Sequence, residues 1–401
     1  MIEIAPRLKR IKPSPSSTAS ALARKLREEG RDIVALTAGE PDFDTPAHII
    51  EAAHKAMRDG QTRYTDTGGT PALKDAIREK FQRENALTYD RSEVMAGTGG
   101  KQIIFNALMA TVDSGDEVII PAPYWVSYPD IVLMADGVPV PLECTRQDGF
   151  KLTPDKLAAA ITPRTKWLIL NSPSNPTGAC YTADELKALA AVLSDHPRIG
   201  VLTDDMYEHL RYGDEAFATM AQAAPEMADR VLTVNGLSKA YAMTGWRLGY
   251  AGGPAPLIAA MTKLQSQSTS NPSAITQAAA VAALSGPQDH LAAWMKHYRE
   301  RRDFVVAAIN DISHLSCNVP DGAFYSYIAC DGAIGRRTPE GKALETDEDV
   351  CKYLIESVGV ATVHGAAYGL SPCFRISFAT DMATLKDACA RMSKAMDALS
   401  Q

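Results

Sequence analysis

The chain has 401 residues, which suits two domains or one large domain with a smaller partner, and 46% hydrophobic against 22% charged residues is the balance of a folded soluble protein. The formal net charge of -7 comes with both signs spread along the chain, so no basic arm or stripe points to a nucleic-acid partner. No apolar run approaches the ~18 residues of a membrane span, and the basic, Ser/Pro-rich start does not read as a signal peptide. In chain order, Pro13–Ser17 predicts a loop, and 18–29 predicts a helix closed by Gly30. Gly39–Pro46 is turn-rich, and Pro46 then opens a helix through Met57. Beyond it, short apolar runs recur at 93–96, 117–121, 138–142, 166–170, 200–203, 231–234 and 248–251, with helical patterns such as 101–112 and 183–193 between them. That alternation predicts an α/β fold with a mostly parallel, seven-stranded sheet covered on both faces. Long helical stretches over about 255–284 and 290–310 follow. Antiparallel-looking strands at 322–328, 360–362 and 374–378 then predict a second, smaller α+β domain. The expected organisation is an N-terminal arm (1–17), a small domain (18–46 with 311–401) and a large domain (47–310). Seven scattered cysteines without a CxxC pair fit a reduced cytoplasm, and no histidine cluster suggests a metal.

Open parallel sheets bind ligands beyond the carboxyl ends of their strands, so the residues after each strand are the candidates. Gly97-Thr98-Gly99-Gly100-Lys101 opens a helix whose free N–H groups suit a phosphate, although a tight turn reads equally well and the Walker A spacing is absent. Trp125 follows the second strand, as core packing or as a surface for a flat ring. Asn175 sits in an Asn-Pro and Thr-Gly turn, where its amide can bond a ligand oxygen. Asp204 is a helix cap or the partner of a protonated pyridine nitrogen. Lys239, just past a buried strand and amid small residues, suits a Schiff-base amine because desolvation frees it to attack an aldehyde. Arg247 can grip a phosphate in fork geometry. Each signal is weak alone. Together they fill five roles around one pyridoxal 5′-phosphate (PLP).

The run Ser238-Lys239-Ala240-Tyr241-Ala242-Met243-Thr244-Gly245-Trp246-Arg247-Leu248-Gly249-Tyr250 resembles the cofactor-lysine signature of class-I aminotransferases. Asn171–Gly178, Thr203–Tyr207 and Ala122–Tyr128 resemble the family's other motifs. The resemblance runs from about residue 5 to the C-terminus. It is nearest the bacterial aspartate aminotransferase branch called subgroup Ib, which includes aspartate/prephenate aminotransferases. It implies PLP fold type I and a homodimer with sites at the subunit interface. Lys239 becomes the Schiff-base lysine and proton shuttle, Asp204 the pyridine partner, Asn175 and Tyr207 the partners of the ring oxygen, and Trp125 the stacking ring. Gly99, Gly100, Lys101 and Arg247 would surround the phosphate, with Tyr64 reaching over from the other subunit. Arg375 would clamp the substrate α-carboxylate with the Gly39 N–H. One departure stands out: many relatives carry serine three residues before the lysine, where this chain has Gly236. Ser238 or backbone N–H groups would then share the phosphate.

The expected reaction is a ping-pong transamination with aspartate as leading donor and 2-oxoglutarate, oxaloacetate or glyoxylate as acceptor. Lys101, or Lys12 with Ser14 and Ser16 on the N-terminal segment, would meet the distal carboxylate. The alternatives are another fold-type-I PLP enzyme (a C–S β-lyase or decarboxylase), an aromatic or prephenate aminotransferase, a non-enzymatic regulator of the same fold, and a nucleotide-binding α/β protein built on Gly97–Lys101.

Overall fold

The computed structural model describes residues 2–401. After a short 3-10 turn, a helix over Pro15–Glu28 leads to strand β1 (Val34–Ala35). Helices Ala47–Arg58 and Pro71–Asn85 precede the large sheet. Its strands are β2 (Val94–Gly97), β3 (Glu117–Ala122), β4 (Val138–Glu143), β5 (Thr165–Asn171), β6 (Gly200–Asp204), β7 (Val231–Gly236) and β8 (Gly249–Gly252), in the order β2-β8-β7-β6-β5-β3-β4. All pair in parallel except β8, which runs antiparallel to both β2 and β7. The central strands are buried along nearly their whole length, as expected where helices cover both faces. β4 is the exposed edge, and it carries Pro139 and Pro141, which cannot donate to a further strand.

The later chain forms the second layer. β9 (Ser316–Cys317), β10 (Tyr325–Ala329), β12 (Val363–His364) and β13 (Cys373–Ser377) make an antiparallel sheet in the order β12-β13-β10-β9. β11 (Val360–Ala361) departs from the expected antiparallel pattern: it pairs in parallel with β1, which ties the N-terminal segment to this layer. Two further expectations are corrected. The first helix starts at Pro15 rather than Thr18, because Pro15 fits the first helical turn with Ser14 at the cap. The stretch 255–284 is two helices, Ala255–Ser266 and Ala274–Ser285. Between them the chain turns through Ser270 at φ 62 and Pro272, neither of which continues a helix.

Two apolar clusters cover the faces of the large sheet. A third gathers the small sheet, helix Met382–Asp397 and Trp294, Tyr298, Val305 and Ile309 of helix Asp289–Asn310. The long helix therefore packs on the small layer's core, although the expected boundary at 310 left it with the large domain.

Candidate active site

The carboxyl ends of β3, β5, β6 and β7 open on a cavity of about 540 Å³, closed on its other side by the Pro15–Glu28 helix and β13. Lys239, Asp204, Asn175, Tyr207, Trp125, Ser238, Gly39, Gly100, Lys101, Arg247 and Arg375 all line it. Lys239 Nζ donates to the Gly39 carbonyl. Burial lowers its pKa to about 8; Glu40 opposes that shift, while Arg375 and Arg247 add to it. Roughly a tenth of this amine is therefore uncharged at pH 7, far more than for an ordinary lysine.

Asp204 is buried, and its carboxylate accepts the Tyr128 hydroxyl at 2.7 Å and the Met206 N–H at 3.3 Å. Burial raises its pKa despite these donors. The carboxylate thus sits in a place that asks for a cationic partner. A protonated pyridine nitrogen supplies one, so the residue fits the cofactor. Asn171 sets the local register: its Nδ2 donates to the Asp204 carbonyl at 2.7 Å, and its Oδ1 accepts the Asn175 N–H at 2.8 Å.

Arg375 is 2% exposed, on β13, an inner strand of the small sheet. Its Nη1 donates to Asn175 Oδ1 at 2.9 Å and its Nη2 to the Thr37 carbonyl at 2.7 Å. The guanidinium lies over the Tyr325 and Tyr368 rings at 4.4 and 5.3 Å. Tyr325 also shares a 2.8 Å hydroxyl contact with Tyr207. Among the described residues no carboxylate pairs with Arg375, and its Nε has no hydrogen-bond partner. A buried cation without a counter-ion, facing a cavity, suits an anionic ligand.

The third corner is cationic. Arg247 adopts a left-handed backbone conformation (φ 55) and donates from Nη1 to the Thr244 carbonyl at 2.7 Å. Lys101 is partly exposed, with its Nζ 4.9 Å from the Trp125 ring centroid. Partial burial and the nearby Arg247 hold its pKa below the usual lysine range. Both flank the start of helix Gly100–Thr111, where unpaired N–H groups add partial positive charge. Gly99 has a left-handed backbone (φ 88) that favours glycine, and a side chain there would displace the Arg247 guanidinium; one at Gly100 would push aside Met206 Cε at 2.6 Å. Gly236 explains the missing serine. A Cβ there would meet Met206 Cε at 2.9 Å and the Leu248 carbonyl at 3.1 Å.

Four expected site residues lie off this cavity, Ser14 among them in the same adjoining space as Lys12. Gly99 shapes it from behind Arg247. Lys12 lines an adjoining cavity of about 500 Å³ that shares Lys101 and Arg247, and its backbone N–H donates to Asp130 at 3.4 Å. Tyr64 is 91% exposed on a different cavity. Sequence reasoning missed Tyr128, Tyr325 and Tyr368, whose roles depend on long-range contacts, and it missed Ser20 and Arg24. Those two recur at helical spacing from Ser16, and all three face the cavity.

Residues 31–392 match the family model described as aminotransferase class I and II. The chain belongs to this family. It is 56% identical to the aspartate aminotransferase of Rhizobium meliloti (strain 1021) over 95% of this chain and 93% of the relative. It is equally 56% identical to the aspartate/prephenate aminotransferase of Cereibacter sphaeroides, over 96% of each. The crystal structure of the aspartate aminotransferase from Rhizobium meliloti superposes with a TM-score of 0.97 at 54% identity, covering 100% of both chains. That of Thermus thermophilus with maleate superposes at 0.91 with 40% identity, covering 98% of this chain and 100% of the other. The chain is an aminotransferase of fold type I, as its motifs led one to expect.

Proposed function

We propose that this aminotransferase uses PLP to move the amino group of L-aspartate to a 2-oxo acid, with 2-oxoglutarate, oxaloacetate or glyoxylate as acceptor. The observation that carries the reading is Arg375, a buried guanidinium without a counter-ion, on the same cavity as the Lys239 amine. When bound, PLP supplies an electron sink and a carrier for the amino group. Lys239 would hold the cofactor through its amine and, once displaced by substrate, take the proton from the substrate Cα. Asp204 would keep the ring nitrogen protonated. Asn175 and Tyr207 would bond the ring oxygen, and Trp125 would stack on the ring. Gly99, Gly100, Lys101, Ser238 and Arg247 would surround the phosphate, with Tyr64 completing it from a second subunit of a homodimer. Arg375 and the Gly39 N–H would clamp the α-carboxylate, and Lys101 or Lys12 the distal one. The names of the relatives and the Lys101 ammonium over the Trp125 ring support a dicarboxylic donor.

A second reading, prephenate as the oxo-acid acceptor, is favoured by the adjoining cavity, where Lys12 stands beside the apolar Ile11, Phe105 and Val126. Relatives named aspartate/prephenate aminotransferase agree with it.

Product analysis tests the main reading. With L-aspartate and 2-oxoglutarate the purified holoenzyme is expected to form oxaloacetate and glutamate in equal amounts, and Lys239→Ala is expected to form neither. Release of ammonia or carbon dioxide in their place, or full activity in Lys239→Ala, overturns it.

A further inference from the structure

Behind the cavity lies a buried polar network that the transfer described above does not use. Lys80, fully buried on helix Pro71–Asn85, ion-pairs with Glu208 and donates to Asn85 Oδ1 at 2.8 Å. Glu208 also accepts Asn85 Nδ2 at 2.9 Å and Asn235 Nδ2 at 2.8 Å. Asn235 Oδ1 in turn accepts the Gly236 N–H at 2.7 Å. Glu84 Oε2 stands 3.6 Å from Lys80 Nζ and 2.9 Å from His209 Nε2. Ligand-type atoms of Glu84, Glu208 and His209 fall within 4.8 Å of one another, but the Lys80 ammonium already supplies the cation there. The network is therefore a charge lock rather than a metal site.

Its connectivity is specific. Glu208 directly follows Tyr207, and Asn235-Gly236 lead in three residues to Lys239. A single carboxylate thus ties the loop carrying Asp204 and Tyr207 to the loop carrying Lys239, and Lys80 anchors both to one helix. The Asp205 N–H reinforces the join by donating to the Val234 carbonyl at 2.9 Å. Stability alone does not call for this arrangement, because an apolar pair of similar volume in place of a buried ion pair is often as stable or more so. An apolar pair cannot hold two loops in register through directed hydrogen bonds.

We infer that Glu208, anchored by Lys80, is a positioning residue that fixes the Tyr207 and Lys239 loops relative to one another. The inference rests on the reading that PLP sits between those loops. Two variants test it. Lys80→Met/Glu208→Leu removes both charges together, and Asn235→Ala cuts the link from Glu208 to the Lys239 loop, with the bond to the Gly236 N–H, while keeping the ion pair. For each, the melting temperature, the affinity of the apo protein for added PLP, and kcat and KM are measured. Both variants are expected to stay folded at assay temperature, to bind PLP at least about tenfold more weakly, and to lose kcat with little change in KM, since a misplacement of ~1 Å costs about 10²-fold in rate. PLP affinity and kcat equal to the wild type in variants that remain folded would overturn the inference. So would a loss that appears only as the protein melts. A wild-type protein that binds no PLP would instead refute the functional reading.

Discussion

A guanidinium that is 2% exposed, with Nη1 and Nη2 directed by Asn175 and the Thr37 carbonyl, presents its remaining face to the cavity in one orientation. That orientation matters because a guanidinium grips a carboxylate with two parallel donors, whereas an ammonium is a point charge. Arg375→Lys should therefore keep the charge and the fold yet lower kcat/KM for aspartate by about 10²-fold, mostly through KM. A change below twofold would mean that Arg375 does not touch substrate. Lys239 shows the same logic in reverse. Its burial disfavours the charged form, and the resulting pKa of about 8 leaves a minor but useful share of free amine where an exposed lysine would offer almost none. Arg375 came only with the family resemblance, but Lys239 was legible from sequence because it follows a strand, and a strand end is a definite address. The tyrosines around them were not, because Tyr128 meets Asp204 across 76 residues and Tyr325 meets Tyr207 across 118.

The Pro15–Glu28 helix joins the N-terminal segment to the substrate clamp. Ser20 Oγ lies 2.8 Å from Thr37 Oγ1, and Thr37 holds Arg375 through its carbonyl. Ser16 Oγ lies 3.5 Å from the Tyr368 hydroxyl, whose ring flanks the same guanidinium. Just before this helix, Lys12 lines the cavity that shares Lys101 and Arg247. If Lys12 serves the distal carboxylate, Lys12→Ala should raise KM about tenfold for aspartate and hardly at all for alanine, which has no distal carboxylate to bind. Equal effects on the two donors would assign Lys12 to the scaffold. The Lys and Ser residues of this segment marked it in the sequence as a candidate for the distal carboxylate. Its helix start was misplaced because a Ser/Pro-rich run encodes a loop and a helix cap equally well.

Across the whole molecule, the large sheet was legible because strands covered on both faces produce continuous apolar runs. The small layer was less so. Its strands are as short as two residues, and the parallel β1–β11 pairing joins segments more than 300 positions apart, which no local pattern encodes. The cavity lies where these two layers meet, so an amine from one and a guanidinium from the other face the same space. Among the described residues no helix is long and apolar enough to cross a membrane. The central claim is that this shared space holds PLP on Lys239. Borohydride reduction of the holoenzyme, which fixes a carbonyl–amine linkage permanently, followed by peptide mass spectrometry tests it most directly. The account predicts one phosphopyridoxyl group per chain, on the peptide containing Lys239. A label on another lysine, or none, would contradict it.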